Sequence, residues 1–308
     1  MAKYSIHDFK GVIPALVTPF TLEGELDTGR LRGITRMLMA RGVDGFYLTG
    51  STGEGLMMSG EERMRVVETV VEEVAGALPV MVHVGAISTH QTVALARHAE
   101  AAGADAISSV PPIYWPFTPG QIGNYYADVT AATGLPMVIY NIALAGALGF
   151  ETLARLARIE GVEGIKYTAP THHEIMRLKQ EVGPEFRIFS GADEMAMSGL
   201  AFGADGLIGS FYNILPELYA DLVRAMAEGR VADAAALQEK ANTVIFFTIA
   251  QYPMSAVKRV MAWQGADGGF CRKPFDNYET PEAEAELRRA FREMREAHGL
   301  AGIGLDGI

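Results

Sequence analysis

The chain is short of cysteine and of basic residues, and both shortages limit what it can be. Its 308 residues include a single cysteine, Cys271, so no disulfide can form within the chain. That usage is typical of a reducing compartment. The 26 Lys and Arg face 37 Asp and Glu, which gives a formal net charge of −11. This balance disfavours nucleic acid or an anionic membrane as a partner, because both require clustered cations.

Long apolar runs and targeting signals are also missing. No uninterrupted apolar run approaches the ~20 residues that a membrane helix needs. Residues 1–10 are polar and mixed, without the apolar core of a signal peptide. The composition, 49% hydrophobic and 20% charged, is typical of a globular protein with material for a large core. We therefore expect a soluble, cytoplasmic protein.

What the sequence does contain is an alternation of short apolar runs with helical patterns, repeated eight times. The predicted strands begin near residues 12, 45, 80, 106, 137, 164, 187 and 206. Such alternation is typical of a parallel sheet in an α/β protein. Eight units in about 220 residues favour a closed (β/α)8 TIM barrel. The alternative, an open doubly wound sheet, should carry a glycine-rich dinucleotide turn after its first strand, and residues 17–20 do not provide one.

The rest of the chain is helical by pattern, over residues 232–251, 254–264 and 282–298. We expect a catalytic barrel over residues 1–230. Residues 231–308 are expected to form a C-terminal helical extension that packs on the barrel and is not an independent domain. The glycine-rich tail, residues 299–308, is predicted to fray.

In a barrel of this kind the C-terminal ends of the strands converge on the active site. Lys166 lies at that end of the predicted sixth strand. A strand-end lysine commonly reaches solvent. In a desolvated site, however, the pKa of a lysine falls readily, and a neutral amine is a good nucleophile towards carbonyl carbon. Tyr140 closes the preceding strand and could transfer a proton there, although a core tyrosine is the commoner case.

Two further strand ends carry polar groups. In the glycine-rich run 49–55, Ser51 and Thr52 offer hydroxyl and N–H donors, and such a nest suits a carboxylate. The spacing matches neither a dinucleotide nor a nucleoside triphosphate loop, and an ordinary turn is an equal alternative. Asp193 and Glu194 follow the predicted seventh strand, where adjacent carboxylates can accept hydrogen bonds from vicinal hydroxyls. They could also cap the following helix.

Gly50-Ser-Thr-Gly-Glu54, Tyr140-Asn141 and Gly164-Ile-Lys166 together resemble the dihydrodipicolinate synthase/N-acetylneuraminate lyase family of class I aldolases, from residue 11 to about 275. The resemblance implies a homotetramer of (β/α)8 barrels. It also implies a lysine, here Lys166, that forms a Schiff base with a 2-oxo acid without a metal or organic cofactor. Tyr140 matches the proton-transfer residue, Ser51 and Thr52 the carboxylate ligands, and Tyr114 a tyrosine that reaches a neighbouring subunit's site.

Within that family, the residues point to the lyase branch. The synthases carry an arginine near the Tyr-Asn pair to hold a second carboxylate, and residues 140–148 contain none. Ser190-Gly-Ala-Asp-Glu194 and Gly209-Ser-Phe-Tyr-Asn213 are similar to lyase motifs that bind a sugar acid. The substrate-binding residues implied by this resemblance are Thr168, Gly191, Asp193, Glu194 and Ser210. Two loops depart from the lyase pattern, at Ala143 and at residues 169–171.

The implied reaction is reversible cleavage of N-acetylneuraminate to N-acetylmannosamine and pyruvate. A 2-keto-3-deoxy sugar acid aldolase or dehydratase stays open, as does the less favoured 4-hydroxy-tetrahydrodipicolinate synthase. A non-catalytic binder of 2-oxo acids is the alternative from another class.

Four other residues with reactive side chains are assigned no chemistry. His83 has no second ligand at metal-binding spacing, so we expect a structural role. His172 and His173 begin a predicted helix and are expected to be solvated. Cys271 has no His or Asp partner in its motif, so we do not expect a nucleophile.

Overall fold

The computed structural model describes residues 2–308, and its centre is a barrel of eight parallel strands. The strands are β1 (Gly11–Pro14), β2 (Phe46–Leu48), β3 (Val80–His83), β4 (Ala106–Ser109), β5 (Met137–Ile142), β6 (Val162–Thr168), β7 (Arg187–Ser190) and β8 (Gly206–Gly209). From β2 to β8 each strand pairs with its neighbour in the chain, and β8 pairs with β1. The N–H of Leu16 donates to the carbonyl oxygen of Tyr47 at 2.9 Å and brings β1 beside β2. The predicted TIM barrel is confirmed.

Helices surround the barrel and continue beyond it. They are α1 (Thr28–Ala40), α2 (Gly60–Val74), α3 (Thr89–Ala102), α4 (Pro119–Thr130), α5 (Phe150–Leu156), α6 (His173–Val182), α7 (Ala196–Ala201), α8 (Pro216–Ala227), α9 (Val231–Ile249), α10 (Pro253–Trp263) and α11 (Pro281–Ala297). None of the helices within residues 2–308 has the length and apolarity to cross a membrane.

Strand alternation decides which side chains enter the barrel. Successive residues of a strand point to opposite faces. Ile165 and Tyr167 pack in the apolar layer between the barrel and its helices, so Lys166 between them points inward. In the same way, Ile139 faces outward and Tyr140 joins the apolar cluster inside the barrel. The two residues proposed for chemistry are thus directed to the interior by the periodicity of their own strands.

The C-terminal helices contact the barrel at the ends of its last strands. Gln238 of α9 donates through Nε2 to the carbonyl oxygen of Asp193 at 3.1 Å. It also accepts from the N–H of Met197 at 2.9 Å. We infer from these contacts that residues 231–308 fold together with the barrel as one unit.

The prediction that the tail frays is wrong. Leu300, Ile303, Leu305 and Ile308 are buried in the apolar layer. Gln264 donates to the carbonyl oxygen of Gly304 at 2.8 Å. The glycines of this segment allow a turn that brings spaced apolar side chains onto the helical extension, a long-range packing effect that composition alone does not reveal.

Candidate active site

Lys166 lies inside the barrel near its C-terminal rim, with 3% of the residue exposed. Its Nζ is 4.3 Å from the ring centre of Tyr140 and 4.4 Å from that of Tyr47. Tyr140 is its register partner on β5. Among residues 2–308 the lysines that donate side-chain hydrogen bonds are Lys3, Lys179 and Lys258. The amine of Lys166 is therefore desolvated and held by aromatic faces, without a hydrogen-bond acceptor from the described chain.

Lys258 shows by contrast what a structural buried lysine looks like. Its Nζ donates to Glu54 at 2.5 Å and to the carbonyl oxygens of Thr18 and Phe270 at 2.7 Å each. All three protons of its ammonium have acceptors, so its nitrogen is not available for bond formation. The two buried lysines differ in chemistry because of their partners, and of the two only Lys166 suits a nucleophile.

An aromatic cluster holds Tyr140 beside the lysine. The rings of Tyr47 and His83 meet that of Tyr140 edge to face, with centroids 6.0 Å and 5.9 Å away. Burial, and then the neighbouring Tyr140, raise the pKa of Tyr47 well above its usual value, so its hydroxyl stays protonated. That hydroxyl donates to Ser108 Oγ at 3.2 Å. The rings of Tyr47, His83 and Tyr140 therefore all pack against one another.

His83 has the structural role expected from the sequence. Its Nδ1 lies 3.2 Å from the carbonyl oxygen of Thr49, and its Nε2 accepts from the N–H of Val110 at 3.3 Å. This pair of contacts requires the neutral tautomer protonated at Nδ1. Burial, with the positive charge of Arg63, holds the pKa of His83 well below its usual range. The neutral ring therefore connects two loops through its hydrogen bonds.

The loop after β2 places two hydroxyls at the rim opposite Lys166, since β2 and β6 are four strands apart. Thr52 is buried, and its Oγ1 forms a 2.7 Å hydrogen bond with Ser210 Oγ from the loop after β8. Ser51 is exposed at the turn. The predicted residues Thr52 and Ser210 are thus brought into direct contact although 158 positions separate them.

Asp193 enters the same rim from the loop after β7. It is buried, and its Oδ2 accepts from the N–H of Phe211 at 2.7 Å. Its Oδ1 has no partner among residues 2–308. Neither Asp193 nor Glu194 caps the following helix through its side chain. The carboxylate is held by the segment that follows β8 and keeps one acceptor oxygen free.

Two glycines allow the side chains of this rim to come close together. A Cβ at Gly209 would lie 1.6 Å from Asp193 Oδ1. A Cβ at Gly191 would lie 1.9 Å from Thr168 Oγ1 and 3.1 Å from Lys166 Cε. The Oγ1 of Thr168 is also buried without a partner in the described chain. Thr168, Gly191 and Asp193 therefore form one polar wall directly beside Lys166.

Burial raises the pKa of Asp193 from 3.8 to about 6, against the opposing effects of the Phe211 N–H and the Lys166 charge. Below pH 3.8 the folded and unfolded chains both hold this proton. Between 3.8 and about 6 the unfolded chain loses it first, so the free energy of unfolding falls by up to about 3 kcal/mol and stays lower above that range. The ionised carboxylate thus costs stability at neutral pH.

We therefore expect Asp193→Asn to stabilise the protein at pH 8, by up to about 3 kcal/mol, and by less at pH 5. The amide oxygen can still accept from Phe211, while the burial cost of the charge disappears. Urea denaturation of both proteins at the two pH values, at one protein concentration, measures the difference. An equal difference at both pH values would contradict this assignment.

Three predicted site residues lie further out. Tyr114 follows β4 and is 83% exposed, with its ring 5.0 Å from that of Trp115 and a positive φ of 83° that is strained for a tyrosine. Glu194 and Ser51 are also exposed. Within one chain the structure therefore brings Tyr114 against Trp115 and not against Lys166.

The two histidines at the start of α6 differ from each other. His173 is exposed, as expected. The expectation for His172 is wrong, because this residue is 2% exposed and its Nδ1 lies 2.9 Å from Ser198 Oγ. A turn at the end of β6 folds it under α7, which the local pattern does not show. Cys271 is buried, and burial raises the pKa of its thiol to about 12, in keeping with an inert residue.

Sequence reasoning missed Tyr47, Lys258 and Gln238 as neighbours of the site. For Lys258 a signal was available, since Lys258-Arg259 interrupts an otherwise apolar helical stretch, residues 256–261. Two adjacent cationic residues in an apolar helical stretch indicate that their charged groups are buried with acceptor groups. In residues 2–308, no group of three or more His, Cys, Asp or Glu side chains is arranged to hold a metal ion.

Comparison with known proteins identifies the family of this chain. The model of the dihydrodipicolinate synthetase family matches residues 8–293. An N-acetylneuraminate lyase of Citrobacter koseri is 39% identical over 293 residues, covering 93% of this chain and 98% of that protein.

Solved structures show the same relationship. A catalytic lysine mutant of the Ruminococcus gnavus sialic acid aldolase has a TM-score of 0.89 and 32% identity, covering 97% of this chain and 99% of that one. An Escherichia coli protein of the dihydrodipicolinic acid synthase family, solved with pyruvate, has a TM-score of 0.85 and 27% identity, covering 93% and 99%. The chain therefore belongs to the dihydrodipicolinate synthetase family.

Proposed function

We propose that this protein is an N-acetylneuraminate lyase-type class I aldolase, which reversibly cleaves N-acetylneuraminate to N-acetylmannosamine and pyruvate. One observation carries the proposal. The buried amine of Lys166 has no hydrogen-bond acceptor, and the polar wall beside it contains two oxygens without a partner, Thr168 Oγ1 and Asp193 Oδ1. The relatives named as N-acetylneuraminate lyase or sialic acid aldolase support the choice of sugar acid.

Lys166 acts as the nucleophile in this scheme. The unprotonated form of Nζ attacks the C2 ketone carbon, and the carbinolamine takes up a proton and loses water to give a protonated imine. The imine nitrogen accepts the electron pair when the C3–C4 bond breaks. The resulting enamine takes a proton at C3 and is hydrolysed to pyruvate and free Lys166. These steps require no metal or organic cofactor.

Tyr140 moves the proton. We assign it the relay of the C4 hydroxyl proton: as the C3–C4 bond breaks, its phenol oxygen takes this proton and passes its own to the substrate carboxylate, which leaves N-acetylmannosamine as an aldehyde. Its position next to Lys166 on the neighbouring strand supports this role, since the imine carbon and the C4 hydroxyl are only two carbons apart.

The remaining residues bind the two ends of the substrate. Ser51 and Thr52 hold the C1 carboxylate, and Thr168, Gly191, Asp193, Glu194 and Ser210 hold the hydroxylated tail. Because Ser210 bonds to Thr52, it lies between the two groups. We propose a homotetramer in which Tyr114 of the partner subunit completes the site, and the exposure of this ring supports an intersubunit role.

A substrate panel tests the proposal through pyruvate release. We expect kcat/KM for N-acetylneuraminate to exceed that for 2-keto-3-deoxy sugar acids by about 10-fold or more, a discrimination that one pocket for the N-acetyl group can supply. The reverse order would favour a 2-keto-3-deoxy sugar acid aldolase. Condensation of pyruvate with aspartate semialdehyde would favour the synthase, and absence of turnover on every compound would indicate a binding protein.

A further inference from the structure

Glu54 and Lys258 form an ion pair that is fully enclosed, with both side chains 0% exposed. Besides Glu54 Oε1, the ammonium has two carbonyl acceptors, Thr18 and Phe270. The other carboxylate oxygen, Oε2, accepts from the N–H of Arg272 at 2.7 Å. Each polar atom of the pair is thus satisfied.

Stability alone does not account for such a pair. The desolvation cost of two buried charges often exceeds their attraction, and apolar residues of similar volume are commonly as stable or more stable. Its placement provides another reason. Glu54 ends the Gly50–Glu54 loop in a left-handed conformation, with φ 55°. This loop carries Ser51 and Thr52.

Lys258 contacts both residues that hold that loop in place, Glu54 and Thr18. It bonds to Glu54 at the end of the loop and to the carbonyl oxygen of Thr18, while the hydroxyl of Thr18 donates to the carbonyl oxygen of Gly53 at 2.7 Å. The N–H of Gly55, directly after the loop, donates to the carbonyl oxygen of Gly50 at 3.0 Å and closes it. One side chain from the C-terminal extension therefore fixes the loop from below.

We propose that Lys258 is a positioning residue for substrate carboxylate recognition, acting through Glu54 and Thr18 on Ser51 and Thr52. The inference rests on the proposed function, in which these two residues bind the C1 carboxylate. Lys258 does not touch the amine of Lys166, so its loss should weaken recognition of the carboxylate and leave imine formation itself intact.

Borohydride trapping of the imine with two ketones separates these effects. Pyruvate carries the carboxylate, whereas hydroxyacetone is a neutral ketone. Intact mass spectrometry gives the fraction of protein trapped at each ketone concentration, and from it the half-saturating concentration of each ketone. The proteins compared are the wild type, Lys258→Met and the control Lys179→Met. Lys179 also forms an ion pair, with Asp205 at 2.7 Å, but at the N-terminal end of β8 and away from the rim.

For Lys258→Met we expect the pyruvate value to rise by about 10- to 100-fold, the scale of losing a buried charge-assisted hydrogen bond, while the hydroxyacetone value is unchanged. Lys179→Met should keep both values. The double variant Glu54→Gln/Lys258→Met should recover part of the selectivity, because no unpaired buried carboxylate remains.

In Lys258→Met, an equal rise of the half-saturating concentration for both ketones, or an unchanged half-saturating concentration for pyruvate, would overturn the proposal. The ion pair would then have a purely structural role. If Lys258→Met does not fold, Glu54→Gln provides the same comparison with a smaller expected shift in the same direction. Failure of the wild type to be trapped by pyruvate would contradict the proposed function itself, and with it this inference.

Discussion

Replacement of Lys166 by methionine is expected to eliminate pyruvate release, with a loss on the order of 10⁴-fold or more, since the covalent intermediate can no longer form. Treatment with pyruvate and borohydride should leave the variant unlabelled. Lys258 cannot substitute, because its three ammonium protons are all bound to acceptors. Labelled peptide from the wild type should map to Lys166.

The same variant should fold normally. Methionine fills much of the volume of the lysine stem and removes a desolvated amine, so we expect the melting temperature to be equal or higher. Lys179→Met provides the control for a lysine remote from the rim and should still be labelled. Labelling that survives in Lys166→Met would reject the assignment of the nucleophile.

Replacement of Tyr140 by phenylalanine should lower kcat by about 10²–10⁴-fold, the usual contribution of a general base. The ring remains in place 4.3 Å from the Lys166 amine, so the cation–π contact and the aromatic cluster persist. Trapping with pyruvate should therefore continue while sugar acid cleavage slows. Steady-state rates combined with trapping measure the two steps separately.

Tyr167→Phe is the matched control, because this tyrosine is next to Lys166 in the strand but points outward. Its hydroxyl donates to Glu174 Oε2 at 2.5 Å and lies 2.6 Å from Thr171 Oγ1. Its loss should reduce stability by about 1 kcal/mol, the usual value of one hydrogen bond, and leave kcat near the wild-type rate. A near-normal kcat in Tyr140→Phe would exclude its role in proton transfer.

The barrel and the direction of its key residues could be predicted from the sequence because they depend on local patterns. The alternation of strands and helices can be recognised in stretches of four to fifteen residues. Eight repeats of it can bury their apolar faces in few ways other than a closed barrel. The alternation within 164–168 also directs Lys166 inward. The resemblance to the aldolases then assigned its chemistry, and the family is confirmed.

Other features depended on contacts between distant parts of the chain. The burial of His172 and of the tail, and the contact between Thr52 and Ser210, each require segments that meet only after the barrel closes. The local periodicity of the sequence does not predict such long-range contacts.

The sequence by itself determined that a lysine stands at the end of the sixth strand of a (β/α)8 barrel, beside Tyr140. The tertiary structure alone decided how the two buried lysines differ. Lys258 meets a carboxylate and two carbonyl oxygens, whereas Lys166 meets two aromatic rings. The physical reason is that the reactivity of an amine is set by the groups around its nitrogen. Those around Lys166 come from two other strands, and those around Lys258 come from loops, of which the one carrying Glu54 is 204 residues away along the chain.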